Sequence, residues 1–240
     1  MSEFRKSIEN IYNKLVNREP FAFSKYADGE LKILKGKNID NGEFAYSSDD
    51  SRSKEYRDKL LESFSFNHDK YYIGIGCPCC MGEVDSQWMR TNSKQDEEHI
   101  TWANVFVNSN YPLFIEHMLP EFSNHKMVFV CNEKAKLDKL PFKVVKDFRV
   151  GHNAIINDYK LVEEMKEWIA KEKIENHVFI FSASSVSNYL AHQLFEFNDK
   201  NTYIDIGTTI NSFIGMDVNR GYLTSYWGKK KGTISKSCIW

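Results

Sequence analysis

The sequence predicts an α/β fold, with a mostly parallel sheet carrying helices on both faces. Three observations lead there. Short apolar runs such as HVFIFS alternate with amphipathic stretches such as YKLVEEMKEWIAKEK, the order of repeated β-α units. The runs are continuously apolar rather than alternating, as strands buried on both sides are. Most of them end in small, polar or acidic residues, and sheets of this class bind ligands beyond those ends.

Each element follows from its pattern. FRKSIENIYNKLVN places Phe4, Ile8, Ile11, Tyr12 and Leu15 at helical spacing. The strand FAFSKY follows, then the turn ADGE and a short helix, ELKILKG, ending near Gly36. Residues 37–52 are polar and rich in turn formers, which predicts a surface loop. SKEYRDKLLESF puts Tyr56, Leu60, Leu61 and Phe64 on one helix face, and KYYIGIG is the next strand. Residues 96–122 read as helix-rich, with ANVFVNSNYPLF ambiguous between strand and helix. KMVFVCNE and FKVVKDFRV are strands, and GHNAIINDY follows. The next helix buries Leu161, Met165, Trp168 and Ile169, then HVFIFS returns to the sheet. SSVSNYLAHQLFEF buries Val186, Tyr189, Leu190 and Leu194, and TYIDIG is the last clear strand. Residues 1–220 form one α/β domain on this reading, and 221–240 a basic, aromatic C-terminal tail without periodicity.

The totals exclude several classes. A chain of 240 residues is long enough for one large core. A net charge of -1 gives no electrostatic case for nucleic acid. Five cysteines, an odd number, do not suggest a disulfide framework and point to a reducing compartment. The opening MSEFRKSIEN has no apolar core of a signal segment, and no run approaches the roughly 18 apolar residues of a membrane span. A cytoplasmic protein is expected.

Chemistry is sought at the strand ends. Ser182, Ser184 and Ser185 lie where HVFIFS turns into a helix, and helix N-terminal amides suit phosphate. Serine is equally a preferred helix cap, and the run is not a Walker loop. In ADGE, Asp28 can cap the helix and Glu30 can favour its first turn. The same two carboxylates can present hard oxygen ligands to Mg²⁺ or Mn²⁺, which share their shell with phosphate oxygens. Asp205 ends an apolar strand, where it can hold a ribose hydroxyl or a metal, act as general base, or bond a neighbouring loop. Glu133 is a second base candidate, and His152 lies in another strand-end loop. The seven histidines have no zinc-protease spacing.

Four stretches in this order, SKYADGE, GHNAIINDY, VFIFSASSVSNYLAHQLFE and YIDIGTTI, resemble bacterial glycosyltransferases of the GT-D fold. The likeness runs from about residue 21 to 210 and is dense only in those four places. It implies a Rossmann-like sheet and transfer of a sugar from a nucleotide sugar, a UDP-sugar first among them, to an acceptor on a glycan or glycoprotein. It implies that Asp28 and Glu30 form the catalytic, metal- and diphosphate-binding Asp-x-Glu motif, with Asp205 as a further catalytic candidate. Lys25, Tyr26, Gly29, Asn153, Ser182, Ser184, Ser185, Gly207 and Thr208 fall to the donor site. Lys25 stands where arginine is expected, which keeps the charge but loses the bidentate fork. Ala27 replaces a glycine, Thr208 a histidine, and NSNYP an arginine-bearing element.

Two other function classes remain open at this point. One is a metal-dependent nucleotide or phosphoester hydrolase. The other is an inactive nucleotide- or glycan-binding relative. The cysteine run CPCC offers no second pair at the usual zinc spacing, so Cys77, Cys79 and Cys80 read as structural, at a strand end that can line the pocket. Lys229, Lys230 and Lys231, with Tyr226, Trp227 and Trp240, can cover the donor site or touch an anionic acceptor or membrane surface. A homo-oligomer is compatible with all of these readings.

Overall fold

The computed structural model describes residues 2–228, 235 and 237–240. The tail cations at 229–231 lie outside the described residues. The strands are β1 (Ala22–Lys25), β2 (Ile39–Asp40), β3 (Ala45–Tyr46), β4 (Tyr71–Ile75), β5 (Ile100–Trp102), β6 (Lys126–Asn132), β7 (Val144–Val150), β8 (His177–Ser182) and β9 (Thr202–Asp205). Seven of them form one sheet in the order β5-β4-β1-β9-β8-β6-β7. Every pairing in it is parallel.

The continuous apolar runs are explained by this burial. Along β8, Val178 and Ile180 enter one core while Phe179 and Phe181 enter the other. In β6, Met127, Phe129 and Cys131 oppose Val128 and Val130 in the same way. Side chains alternate across a strand, so a strand covered on both sides needs apolar residues at every position.

The helices divide between the two faces. One face carries the helices Ser51–Phe64, Leu161–Glu172 and Val186–Phe197, whose Tyr56, Leu60, Met165, Leu190 and Leu194 share a core. The other carries Glu3–Val16, the short turns between residues 108 and 124, and Asn211–Ile214. Helix starts follow the caps. The Ser2 hydroxyl accepts from the Arg5 amide at 3.3 Å, and Asp50 accepts from the Ser53 amide at 2.7 Å.

Four expectations change. The 37–52 loop contains a small antiparallel hairpin, β2–β3, with Ile39 opposite Tyr46. Within the region read as helix-rich, Ile100–Trp102 is an edge strand paired with β4. The ambiguous NSNYPLF is a series of short helical turns around Pro112 rather than a strand. The tail expected after residue 220 begins as a helix, Gly221–Trp227, with Tyr222 and Leu223 buried in the second core. Trp227 Nε1 donates to the Tyr111 hydroxyl at 2.9 Å, so this segment docks on the domain.

Candidate functional site

The topology places a crevice at the carboxyl end of β9. The chain leaves β1 through Leu31, Ile33 and Leu34, and leaves β8 through Val186 and Leu190, all in one core. It leaves β9, which lies between them, through Ile206, Ile210 and Ile214 into the opposite core. Neighbouring strands whose chains part to opposite faces leave a gap at their carboxyl ends. β1 and β8 lie two strand spacings apart, about 10 Å, which admits a diphosphate.

Lys25 and Asp205 occupy this gap. Asp205 is 2% exposed, and its Oδ1 accepts the Gly207 amide at 3.0 Å. Burial pushes its carboxyl up to about 6; Lys25 opposes the shift and Glu30 adds to it. For Lys25, burial works against the charge, but the carboxylates of Asp205, Glu30 and Glu43 outweigh it and hold the amine above its ordinary value. No carboxylate of the described residues comes within 4.0 Å of the Lys25 ammonium, and the ammonium donates a hydrogen bond to none of them. Among the described residues it is a cation in a net negative field, which Arg220 partly offsets, with no ion-pair or hydrogen-bond partner.

The ADGE turn divides its labour differently from expectation. Ala27 takes the cap position of the helix Asp28–Leu34, with Asp28 in the first turn. Glu30, buried, reaches back so that its Oε2 accepts the Ala27 amide at 2.9 Å. Asp28 is exposed at the rim. Gly29 packs so closely that a Cβ there would stand 3.1 Å from the Phe44 ring, which brings the hairpin over this turn. Asp28 and Glu30 would be the oxygen donors for Mg²⁺ or Mn²⁺, one Glu30 oxygen already accepting the Ala27 amide. No third carboxylate, histidine or cysteine ligand atom gathers with them among the described residues.

Opposite them is the end of β8. Ser182 is half-buried there, and Ser184 adopts a left-handed conformation, φ 56°. That is uncommon for a side chain without an amide or carboxylate, and such positions concentrate at binding sites. The backbone then enters the helix Val186–Phe197 with Ser185 at the cap. The amides of Ser184, Ser185 and Val186 donate to no acceptor of the described residues, whereas Ala183 donates to the Ser187 hydroxyl at 3.2 Å. A left-handed residue followed by a right-handed one turns successive amides toward a common point that suits an anion. The Asn188 amide group ties this helix to the other wall, donating to Ser24 Oγ at 3.0 Å and to the Lys25 carbonyl at 2.6 Å.

The β2–β3 hairpin bridges the two walls. Glu43 at its tip accepts from Ser184 Oγ at 3.3 Å and pairs with Arg220 at 3.3 Å. Asn153, left-handed at φ 53°, fixes the hairpin's root: its amide donates to the Glu43 carbonyl at 3.1 Å, and its Oδ1 accepts the Ala45 amide at 3.2 Å. Thr208 Oγ1 pairs with the Tyr222 hydroxyl at 2.7 Å. The hairpin also walls an open hollow of about 490 Å³ beside Asn38, Tyr46, Arg52 and Asn153, whose lining includes none of Lys25, Asp28, Glu30 or Asp205.

Two expected donor residues face elsewhere. Tyr26 is core: its ring is fully buried 4.8 Å from Phe64, and its hydroxyl meets Ser63. The next residue after a strand end alternates to the opposite side from Lys25, which is why one is in the crevice and the other is not. The Ser185 hydroxyl turns inward to Tyr56 at 2.8 Å, leaving only its amide for a ligand. Glu133 sits beside Gly151 at the ends of β6 and β7, away from β9. Cys77, Cys79 and Cys80 gather with Cys238 among Phe4, Trp102 and Trp240. The sequence reading missed Glu43, Asn188, Arg220 and Tyr222. Only the small-residue helix start around Asn188 carried any local signal; Glu43 and Arg220 come from loops, and Tyr222 from the helix Gly221–Trp227 read as an aperiodic tail.

No family model matches the chain, and no curated protein does. Two solved structures resemble its fold. The selenomethionine-substituted structure of domain of unknown function 1792 (DUF1792) superposes with a TM-score of 0.55 at 12% identity, over 86% of this chain and 81% of that chain. A second structure of that domain superposes with a TM-score of 0.56 at 11% identity, over the same shares of the two chains. It is described in the words "the highly conserved domain of unknown function 1792 has a distinct glycosyltransferase fold". The likeness is one of fold: a mostly parallel α/β sheet of the kind described there as a glycosyltransferase fold.

Proposed function

We propose that the chain is a glycosyltransferase that takes a sugar from a nucleotide-diphosphate sugar and passes it to a hydroxyl of a glycan or glycoprotein. One observation carries this reading: the uncontacted Lys25 ammonium and the open amides of Ser184, Ser185 and Val186 face one crevice from opposite walls. A cation on one side and a set of open amides on the other suit the two phosphates of a diphosphate. Asp28 at the rim and the buried Glu30 would hold Mg²⁺ or Mn²⁺, which when bound offsets charge on the departing diphosphate.

The chain's own residues then divide the work. Lys25 stabilises the charge that develops as the bond to the sugar breaks. Asp205 and Glu30 keep Lys25 charged and hold it over Gly207. The hairpin and Glu43 shield the reacting centre, and Arg220 stands where it can exchange Glu43 for phosphate.

The test is calorimetric titration of UDP, with and without Mn²⁺, into the wild type, Asp28→Asn and Lys25→Met. The reading requires binding that Lys25→Met weakens in either condition and that Asp28→Asn weakens only with Mn²⁺. Absence of binding to any nucleoside diphosphate would return the crevice to a purely structural role. Nucleotide release that needs no acceptor would indicate a hydrolase.

A further inference from the structure

Four cysteines, three just after β4 and one near residue 240, meet beyond that strand. Cys77 follows the strand, and the single helical turn Pro78–Met81 folds Cys79 and Cys80 back beside it. The Cys80 amide donates to the Cys77 carbonyl at 3.1 Å. Cys238 arrives from 158 residues beyond Cys80. The sulfur separations are 3.2 Å for Cys77–Cys79, 3.7 Å for Cys77–Cys238, 3.9 Å for Cys79–Cys80, 3.5 Å for Cys79–Cys238 and 3.4 Å for Cys80–Cys238. All four sulfurs lie within 4.8 Å of one another.

These separations discriminate between chemistries. A disulfide needs about 2.05 Å, and all five cysteines are free. A tetrahedral zinc with sulfurs at about 2.3 Å sets them about 3.8 Å apart, close to what is seen. The set is too tight to enclose a multi-iron core, whose thiolates attach to different irons.

The surroundings are built for thiolates. Asn104 Nδ2 points at Cys238 Sγ at 2.8 Å and at Cys77 Sγ at 3.2 Å. Asn108 Nδ2 reaches Cys238 Sγ at 3.3 Å, and Trp240 Nε1 reaches Cys79 Sγ at 3.3 Å. Three N–H donors converging on four sulfurs favour the anionic form, and four thiolates in contact require a cation between them. Cys77 and Cys238 are buried while Cys79 and Cys80 are exposed, which leaves an entry path.

We infer that Cys77, Cys79, Cys80 and Cys238 bind a single zinc ion that fastens the C-terminal end of the chain to the end of β4. Four protein sulfurs close the coordination sphere, so the site is structural and not catalytic. Binding releases the thiol protons to solvent. The ion clips together parts already in contact: the Phe4 amide donates to the Trp240 carbonyl at 3.3 Å, and the Trp240 ring lies 4.9 Å from Trp102. The inference is independent of the transferase reading.

The full-length chain, purified under reducing conditions, is tested by elemental analysis. One zinc per chain is expected, removable by chelator and restored by Zn²⁺ alone. Co²⁺ added to the stripped protein should give thiolate-to-cobalt charge transfer and the visible bands of a tetrahedral ion. Cys238→Ser should lose the zinc and unfold at lower temperature, while Cys131→Ser, outside the quartet, should keep it. Should Cys238→Ser fail to fold, Co²⁺ binding by the wild type and its loss in the exposed Cys79→Ser decide the matter. A protein that takes up neither Zn²⁺ nor Co²⁺ with its thiols reduced, that is isolated with a disulfide among these cysteines, or that holds iron instead, would overturn the inference.

Discussion

The Lys25 side chain lies across Gly207 with no room for another atom between them. A Cβ at position 207 would stand 2.6 Å from Lys25 Cε and 3.0 Å from Nζ. Gly207 also has φ +53°, a conformation that side chains other than Asn and Asp rarely adopt. The Asp205 carboxylate, through its bond to the Gly207 amide, fixes the same turn.

Gly207→Ala is therefore expected to act twice. The backbone conformation costs about 1 kcal/mol or more, read as a lower unfolding temperature. The displaced ammonium loses its aim, and nucleoside diphosphate binding weakens about tenfold, the worth of one charge-assisted hydrogen bond. Wild-type affinity in a folded Gly207→Ala would show that Lys25 does not touch the ligand.

Asp205 makes stability depend on pH in a stated direction. Its folded value of about 6 lies above the ordinary carboxyl value of about 3.9. The folded state therefore binds the proton more tightly, so this group's contribution is fully present below about pH 4 and lost as pH rises through about 6. The total is on the order of 3 kcal/mol. Asp205→Asn should gain on the wild type by that order between pH 4 and 7, measured by denaturant unfolding. A constant difference across that window would show that the carboxyl is not perturbed.

Glu30 separates capping from chemistry. Glu30→Ala removes the acceptor for the Ala27 amide and is expected to cost about 1 kcal/mol. Glu30→Gln keeps an acceptor and should stay within about 0.5 kcal/mol of the wild type. Both should lose sugar transfer if the charge is what the reaction uses. Transfer retained by Glu30→Gln would leave Glu30 as a cap alone.

Asn153 is expected to govern the hairpin. Asn153→Gly keeps the left-handed backbone but deletes the bond to the Ala45 amide. Overall stability should change little, while amide exchange over residues 39–46 accelerates and donor KM rises more than kcat falls. Unchanged exchange would show that the hairpin is held by Gly29–Phe44 packing instead.

Much of the fold was legible because it rests on local patterns. Apolar runs of strand length, the Phe4–Leu15 and Leu161–Ile169 stripes and the serine-rich helix start each declare themselves within a dozen residues. The edge strand Ile100–Trp102 did not, since three residues paired on one side carry too little pattern. The β2–β3 hairpin was hidden for the same reason, and its stabilising contacts, Asn153 and Phe44 on Gly29, lie far away or act through packing. Lys25 and Tyr26 both entered through the family resemblance, and Tyr26 lies in the core instead, because one residue of slip exchanges crevice for core.

The sequence by itself determined the α/β class, and it nominated the strand ends and the carboxylates Asp28, Glu30 and Asp205 as candidates for chemistry. Periodicity and turn chemistry are short-range, and they write themselves into neighbouring residues. Only the tertiary structure decided that Glu43 and Arg220 reach the crevice, that Asp205 lies buried beside Lys25, and that Cys238 completes a quartet with Cys77, Cys79 and Cys80. Of those relations, the Glu43–Arg220 pair alone joins residues 177 positions apart. Burial and the field of distant charges, which set the Asp205 carboxyl near neutrality, exist only once the chain has closed on itself.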